Sequence, residues 1–320
     1  MQPTVVIAVY SVLVVLSSLL GGFLPAMIHL THRRMQFLMS GIGGLMLGIG
    51  FFHLLPHSLH TSIGIDRAVV WLMLGLITTF LLIRVFSSHV HAAEAGESEC
   101  SGALHESHQT GDPHASGGHN HAVFDGAKYR WVGLALGLSL HTLLDGVAMT
   151  AAVLGDTSHV SGTLFLGFAA FLGILLHKPL DSLSITALMA AGGWSVGWQS
   201  VVNVLYAMMC PLGALAFYLG VRDTPHESVA IGCGLAFAAG IFICIALSDL
   251  LPELQFHSHD RFPLTVLLLL GVLVAYGLKY LEPPHLHDTP TKDVLDNHST
   301  VHDHEHHSHD PHPHAHDTKE

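Results

Sequence analysis

Two short elements of this sequence each place a histidine and an aspartate four residues apart inside an apolar run. The first pair is His141 and Asp145, and the second, 36 residues later, is His177 and Asp181. Side chains four residues apart lie on one face of a helix, about 6 Å from each other, so each pair can close on a single ion. Two such pairs on neighbouring helices would place two imidazoles and two carboxylates around one point, which is the donor set of a divalent-metal site.

The composition indicates that these elements lie in a membrane. Half of the 320 residues are hydrophobic and only 11% are charged, whereas soluble domains carry about 25% charged residues. Apolar runs of about 20 residues recur along the chain, which is the length that crosses a bilayer as a helix. An aspartate within such a run costs at least about 2.5 kcal/mol to insert, so four polar groups in register predict a function. No basic patch indicates a nucleic-acid partner.

We predict an all-α polytopic membrane protein with eight transmembrane helices. Spans one to three lie in residues 1–88 and spans four to eight in residues 129–282; their expected bounds are 4–30, 36–60, 67–88, 129–153, 160–190, 198–220, 228–256 and 263–281. Residues 89–128 and 283–320 are His-rich and have too little apolar content to fold alone, so we expect both to be disordered. Neutral imidazoles bind transition metals, so both segments are expected to collect or sense metal.

The basic residues predict the orientation. One set of alternate loops holds Arg33, Arg34, Arg84, Lys128, Arg130 and Arg261, whereas the other side has Arg67 and Arg222 in its short loops and Lys279 near the end of the last span. Cytoplasmic loops carry an excess of Lys and Arg. We therefore expect a multi-pass protein of the cell membrane with both termini outside the cytoplasm and the 89–128 loop inside it.

A second, weaker repeat relates span two to span seven. Residues 44–60 align with residues 240–256 at an offset of 196, which brings the Leu-Leu-Pro element at 54–56 over the one at 250–252. Spans two and seven would run in opposite directions, and so would spans four and five. Such inverted repeats are typical of secondary transporters, whose sites lie at the repeat interface. The secondary candidates for metal contact are Met46, His53, His57, Asp249 and Glu253.

The neighbours of the second His/Asp element leave alternatives open. Pro179 has no amide hydrogen, so it frees a carbonyl near Leu175 that a cation could use. Lys178 either pairs with one of the aspartates or projects toward the cytoplasmic side, and the sequence does not decide between these.

The four cysteines have no CxxC spacing, and those in apolar runs are interpreted as free, buried thiols.

Together these features resemble the ZIP (Zrt/Irt-like) divalent-metal transporters over essentially all eight spans. The resemblance is carried by residues 141–146 and 177–181, the two Leu-Leu-Pro elements, Pro211-Leu212-Gly213 in span six and the His-rich loop between spans three and four. It implies eight helices with external termini and inward transport of a divalent ion. Zn²⁺ is expected as the transported substrate, with Fe²⁺, Mn²⁺ and Cd²⁺ as alternatives, and no cofactor is expected.

The resemblance also implies a set of site residues. The main metal site falls on His141, Asp145, His177 and Asp181, with Met46 at a further contact position. The position after the second histidine is often acidic in the family and helps to hold a second metal. Here it is Lys178, so we expect one principal metal ion.

Two other functions were weighed. An exporter of the cation-diffusion type also uses HxxxD elements and His-rich loops, but it usually has six spans and a folded cytosolic carboxyl domain. A membrane-embedded zinc hydrolase would keep an open metal position for water beside a general base, yet no HExxH or serine-nucleophile motif is present. We therefore expect a transporter and not an enzyme. Its expected partners are divalent metal ions and the lipid bilayer, and a homodimer is left open.

Overall fold

The structure, a computed structural model, describes residues 2–27, 32–61, 63–101, 129–157, 166–256 and 261–280. Helices make up nearly all of these ranges, and no strand occurs within them. The helices are α1 (Pro3–Met27), α2 (His32–Ile49), α3 (Leu55–His60), α4 (Gly64–Ser101), α5 (Arg130–Thr157), α6 (Phe168–Ala191), α7 (Val196–Ala207), α8 (Met209–Val221), α9 (Glu227–Phe256) and α10 (Arg261–Leu278). A π-helical turn, Gly50–Leu54, joins α2 to α3.

These helices correspond to the eight predicted spans. Seven helical stretches in the described part are long and apolar enough to cross a membrane, and Phe262–Leu278 is a shorter apolar helix. Span two consists of α2, the π-helical turn and α3, and span six consists of α7 and α8. Span six is interrupted at Met208, and Pro211 lies in the first turn of α8, where its missing amide hydrogen costs little. The chain is therefore an all-α polytopic membrane protein, as predicted.

Two helix ends differ from the predicted bounds by more than four residues. The third span was expected to end at 88, but α4 continues to Ser101. Residues 92–99 are mostly Ala and Glu, which are strong helix formers and prolong the helix into the segment predicted to be disordered. The fifth span was expected from 160, but α6 begins at Phe168, after Gly167 in a left-handed conformation with φ of 63°. Residues 102–128, 158–165 and 281–320 lie outside the described part, so the predictions made for them stay predictions.

The helix contacts reproduce the predicted inverted repeat. The most extensive contacts in the described part join α1 to α6, α5 to α8, α2 to α10 and α4 to α9. In terms of spans, these are one with five, four with six, two with eight and three with seven. The inverted repeat matches spans one, two and three to spans six, seven and eight, and span four to span five. Under this matching, the contact between spans one and five corresponds to that between six and four. The contact between spans two and eight corresponds to that between seven and three.

The closest approaches between helices follow the same relation. A Cβ atom on Gly44 would meet the backbone of Leu268, and one on Gly240 would meet the backbone of Leu72. The two contacts are related by the offset of the weaker sequence repeat, since 240 − 44 and 268 − 72 both equal 196. Glycines at such crossings allow membrane helices to pack backbone against backbone. The weak repeat therefore reflects a repeated packing contact.

A second pair of close approaches lies beside the two His/Asp elements. A Cβ atom on Gly21 of α1 would meet the backbone of Pro179 in α6, and one on Gly213 of α8 would meet the backbone of Leu143 in α5. Leu143 and Pro179 are 36 residues apart, and each lies between the histidine and the aspartate of its element. The two glycines therefore fix the helices that carry the polar side chains.

We predict that Gly213→Ala destabilises the protein, because the new methyl group would meet the carbonyl of Leu143 and force α5 and α8 apart. Gly220→Ala in the same helix is the matched control, since a Cβ atom there has nothing within 4 Å. Alanine is favoured over glycine in a helix by about 1 kcal/mol. The control should therefore keep or raise the melting temperature of the detergent-purified protein, and Gly213→Ala should lower it. Equal melting temperatures for the two variants would contradict the packing argument.

Candidate metal centre

The structure brings the four residues of the two His/Asp elements together. His141 and Asp145 lie near the middle of α5, and His177 and Asp181 lie near the middle of α6. One ligand atom from each residue lies within 4.8 Å of the other three. The side chain of Asp145 is fully buried, whereas that of Asp181 is 17% exposed and is the most accessible of the four.

The distances within the group are close to those of a tetrahedral metal site. Asp145 Oδ2 lies 3.3 Å from His141 Nε2 and 3.4 Å from His177 Nε2. Atoms bound to zinc at 2.0–2.2 Å are about 3.4 Å apart at tetrahedral angles. Asp181 Oδ2 lies farther out, 3.9 Å and 3.8 Å from the same two nitrogens. Asp181 is therefore the member of the group that must move inward, by about 0.5 Å, to complete a tetrahedral site.

The two histidines are held differently, although each has a glycine four residues before it. His177 Nδ1 donates a hydrogen bond to the carbonyl oxygen of Gly173 at 2.8 Å. Because a carbonyl can only accept, Nδ1 carries the hydrogen, and Nε2 of the neutral ring keeps its lone pair for a metal. His141 Nδ1 is buried without a hydrogen-bond partner in the described part of the chain. The His177 ring is therefore the more firmly oriented of the two.

Lys178 lies inside the group and is fully buried. Its ammonium donates to Asp145 Oδ2 at 2.5 Å, Asp181 Oδ2 at 3.1 Å and Thr142 Oγ1 at 3.0 Å. These three bonds match the three ammonium hydrogens, and His177 Nε2 lies 3.5 Å from the same nitrogen as a fourth, longer contact. Of the two alternatives that the sequence left open, pairing with the aspartates is the one observed. Two carboxylates and one ammonium leave a net negative charge when both imidazoles are neutral, and such a charge within a span favours a cation.

Asp145 has one further oxygen available. Its Oδ1 atom is buried and has no hydrogen-bond partner among the described residues. A buried acceptor left in this state costs about 1–3 kcal/mol. A cation bound between α5 and α6 would relieve this cost, so the donor set fits a divalent metal ion.

The carbonyl freed by Pro179 is bonded within the protein. Ser17 Oγ of α1 donates to the carbonyl oxygen of Leu175 at 2.8 Å. Neighbouring helices commonly satisfy the backbone groups that proline frees inside a membrane. The structure therefore assigns this carbonyl to the α1–α6 contact, and not to the cation suggested by the sequence.

The secondary candidates are placed elsewhere or lie outside the description. His53 lies in the π-helical turn, and its Nε2 donates to the carbonyl oxygen of Ala275 in α10 at 2.7 Å. Met46 is 1% exposed and belongs to the main apolar core. Asp249 and Glu253 lie in α9, but their side chains are outside the described part of the chain. A role for these four residues in metal contact stays a prediction. Of the cysteines, Cys210, Cys233 and Cys244 are free and buried, as interpreted from the sequence.

Two contacts of the site were not predicted from the sequence. Thr142 accepts a hydrogen bond from Lys178 and donates one to the carbonyl oxygen of Leu138 at 2.7 Å. The hydroxyl of Tyr206, in α7, donates to Asp181 Oδ2 at 3.0 Å. The available signal for Tyr206 was a phenol inside an apolar span, five residues before Pro211.

A cavity of about 250 Å³ reaches the site from the end of the bundle at which α5 begins, here called the Trp131 end. It is lined by residues of α4, α5, α6 and α9, namely Thr79, Leu82, Ile83, Leu134, Gly137, Leu138, His141, Asp181, Ile245 and Ser248. The cavity is wide enough for several water molecules. His141 and Asp181 face it, whereas Asp145 and His177 are not among its lining residues.

The opposite end of α5, here called the Asp156 end, is tied to two other elements. His57 Nδ1 of α3 lies 3.3 Å from Asp156 Oδ1. The backbone amide of Gly167, just before α6, donates to Asp156 Oδ2 at 2.7 Å. The buried Asp156 side chain therefore joins α3, α5 and the start of α6 at this end.

Comparison with known proteins agrees with this architecture. The family model described as "ZIP Zinc transporter" matches residues 4–279. The chain is 28% identical over 210 residues to zinc transporter ZIP9-B of Xenopus laevis, an alignment that covers 64% of this chain and 57% of the relative. It is 27% identical over 229 residues to ZIP9-A of the same species, covering 70% and 61%. It is 30% identical over 148 residues to the zinc transporter foi of Drosophila melanogaster, covering 46% and 19%.

The first two alignments thus cover about three fifths of the length of the relatives, while the family match extends over nearly all the described helices of this chain. That match includes both His/Asp elements and all eight spans. The chain belongs to the ZIP zinc transporter family.

Proposed function

We propose that the chain transports Zn²⁺ across the membrane through the site formed by His141, Asp145, His177 and Asp181. The observation that carries the proposal is the convergence of these four side chains inside the spans of a ZIP family member. Ionisable residues buried within membrane spans are costly and mark ion pathways. Imidazole and carboxylate donors suit Zn²⁺, and the curated relatives are named zinc transporters. Fe²⁺, Mn²⁺ and Cd²⁺ are the alternative substrates.

We further propose that the ion moves into the cytoplasm by alternating access. The excess of basic residues in the loops at the Trp131 end supports a cytoplasmic position for that end of the bundle. The cavity at this end exposes His141 and Asp181, while the contacts of Asp156 hold the other end together. This arrangement corresponds to a state that releases its ion to the cytoplasm. The pairs α1–α6 and α5–α8, which carry the site, would move against the pairs α2–α10 and α4–α9 to open the Asp156 end, because the most extensive contacts lie within these pairs.

The proposed site and direction predict zinc accumulation in cells that express the protein. Accumulation should rise with the wild type, and His177→Ala and Asp181→Asn should each reduce the rise at least about tenfold, the loss typical even of outer partners of metal ligands. His226→Ala and Asp223→Asn are the matched controls, because both residues are exposed in the turn between α8 and α9. Radioactive zinc in washed cells is the measurement.

The outcomes of this experiment distinguish the proposed metal site from the proposed inward direction of transport. Accumulation at the wild-type level in both site variants would overturn the proposed site. A decrease of cellular zinc on expression of the wild type would overturn the inward direction and favour an exporter. Zinc flux in proteoliposomes that depends on His177, combined with a loss of zinc from cells that express the wild type, would retain the site and reject the inward direction.

We also propose that Lys178 limits the site to one principal metal ion. Its ammonium lies within 3.1 Å of one oxygen of each aspartate. A second divalent cation bound by these oxygens would lie beside a positive charge at close range, which disfavours it. The single transported ion must itself draw Asp145 and Asp181 away from Lys178. Lys178 therefore compensates the carboxylates before the ion binds and competes with it during binding.

This role predicts the behaviour of Lys178→Met. Without zinc the variant should melt at a lower temperature than the wild type, because breaking a buried ion pair costs about 3–5 kcal/mol. Added zinc should then raise its melting temperature by more than it raises that of the wild type. Lys279→Met, at an exposed turn after α10, is the control. The His-rich segments are identical in all three proteins, so a Lys178→Met variant that matches the wild type with and without zinc would contradict the proposal.

A further inference from the structure

We infer that Tyr206 is a positioning residue for the transported ion, because its hydroxyl directs Asp181, the carboxylate that faces the cavity. The inference rests on the proposed function, since it concerns the same site. Tyr206 is 2% exposed and donates to Asp181 Oδ2 at 3.0 Å. The same Oδ2 atom lies 3.9 Å from His141 Nε2 and 3.8 Å from His177 Nε2, so it is the Asp181 oxygen that faces the two imidazoles.

The Tyr206 ring is held in place by packing. It belongs to a buried apolar cluster with Ala135, Ile185 and Met189, against which Trp131 and Trp194 pack. The two indole rings meet edge to face with centroids 5.3 Å apart. A side chain locked by packing in this way holds its polar atom at a defined point. Because packing fixes the ring, the position of the Tyr206 hydroxyl sets that of the Asp181 carboxylate.

Tyr206 also faces Lys178. The ammonium nitrogen lies 5.8 Å from the centroid of the phenol ring, within the range of a cation–π contact. One aromatic side chain thus contacts both members of the Lys178–Asp181 ion pair. Before the ion arrives, Tyr206 stabilises that pair.

The two hydrogen bonds to Asp181 respond differently when a divalent ion binds. Asp181 Oδ2 receives one from the Lys178 ammonium and one from the Tyr206 hydroxyl. The ammonium is repelled by the incoming ion. The phenol is neutral, so its hydrogen bond can persist while the carboxylate turns to the metal. Carboxylates that bind metals usually keep such an outer hydrogen bond, and its loss typically costs 10–100-fold in metal affinity.

Tyr206→Phe tests this role, since it removes one oxygen atom and retains the packed ring. Zinc transport into proteoliposomes should show a KM about tenfold higher, with a maximal rate within about twofold of the wild type. Tyr218→Phe is the matched control, because Tyr218 lies in the same span and its ring faces Arg222 instead of the site. A KM within about twofold of the wild-type value in Tyr206→Phe would overturn the inference, while Asp181→Asn should still lose transport.

A second measurement separates a positioning role from a structural one. The zinc concentration that gives half of the maximal rise in melting temperature is compared for the wild type, Tyr206→Phe, Asp181→Asn and the double variant. Tyr206→Phe should raise this concentration about tenfold alone and less than about twofold in the Asp181→Asn background, because the hydroxyl acts through the carboxylate. Equal effects in both backgrounds would indicate general destabilisation and overturn the inference. If the wild type moved no zinc, the proposed function would fail, but this titration would still test Tyr206.

Discussion

The ion cluster of Lys178, Asp145 and Asp181 is the interaction on which the rest of this structure depends. An ammonium and two carboxylates buried between membrane helices are tolerated only when each charge is hydrogen-bonded. Lys178 meets this condition with three bonds to α5 and α6, one of them to Thr142. The cluster thereby fixes the relative position of the two helices that carry the histidines. It also leaves one net negative charge, so the same contact that holds the helices together attracts a cation.

The surrounding helices supply the close packing that this cluster requires. Gly21 and Gly213 bring α1 and α8 against the backbone of α6 and α5 at Pro179 and Leu143, directly beside the polar side chains. Bulkier residues at these positions would separate the helices and leave room around the buried charges. The contact of Ser17 with Leu175 adds a hydrogen bond where the proline interrupts α6. At the α1–α6 pair, close packing and a hydrogen bond to the freed carbonyl therefore occur at the same place.

Much of this could be predicted from the sequence, because it depends on local periodicity. Apolar run lengths predicted the spans, and the HxxxD spacing predicted which face of α5 and α6 carries the polar groups. The 196-residue offset predicted the inverted repeat, which the glycine contacts then reproduced. Periodicity gives the face of a helix on which a residue lies but not where a long side chain ends. The sequence therefore does not decide whether Lys178 pairs with an aspartate or projects toward the cytoplasmic side. The pairing of Tyr206 with Asp181 joins residues from different spans, and neither its partner nor the packing of its ring can be read from spacing.

The inverted repeat makes the departures from symmetry informative. The ligand pairs are equivalent, but Lys178 corresponds to Thr142 at the 36-residue offset, and these two unlike residues bond to each other. Gly21 and Gly213 give an offset of 192 for spans one and six, at which Tyr206 corresponds to the apolar Val14. Equivalent ligands alone would hold an ion without distinguishing the two ends of the bundle. Lys178 and Tyr206 both act on Asp181, the carboxylate ligand that faces the cavity, so these two unmatched side chains make the Trp131 end of the site different from the Asp156 end.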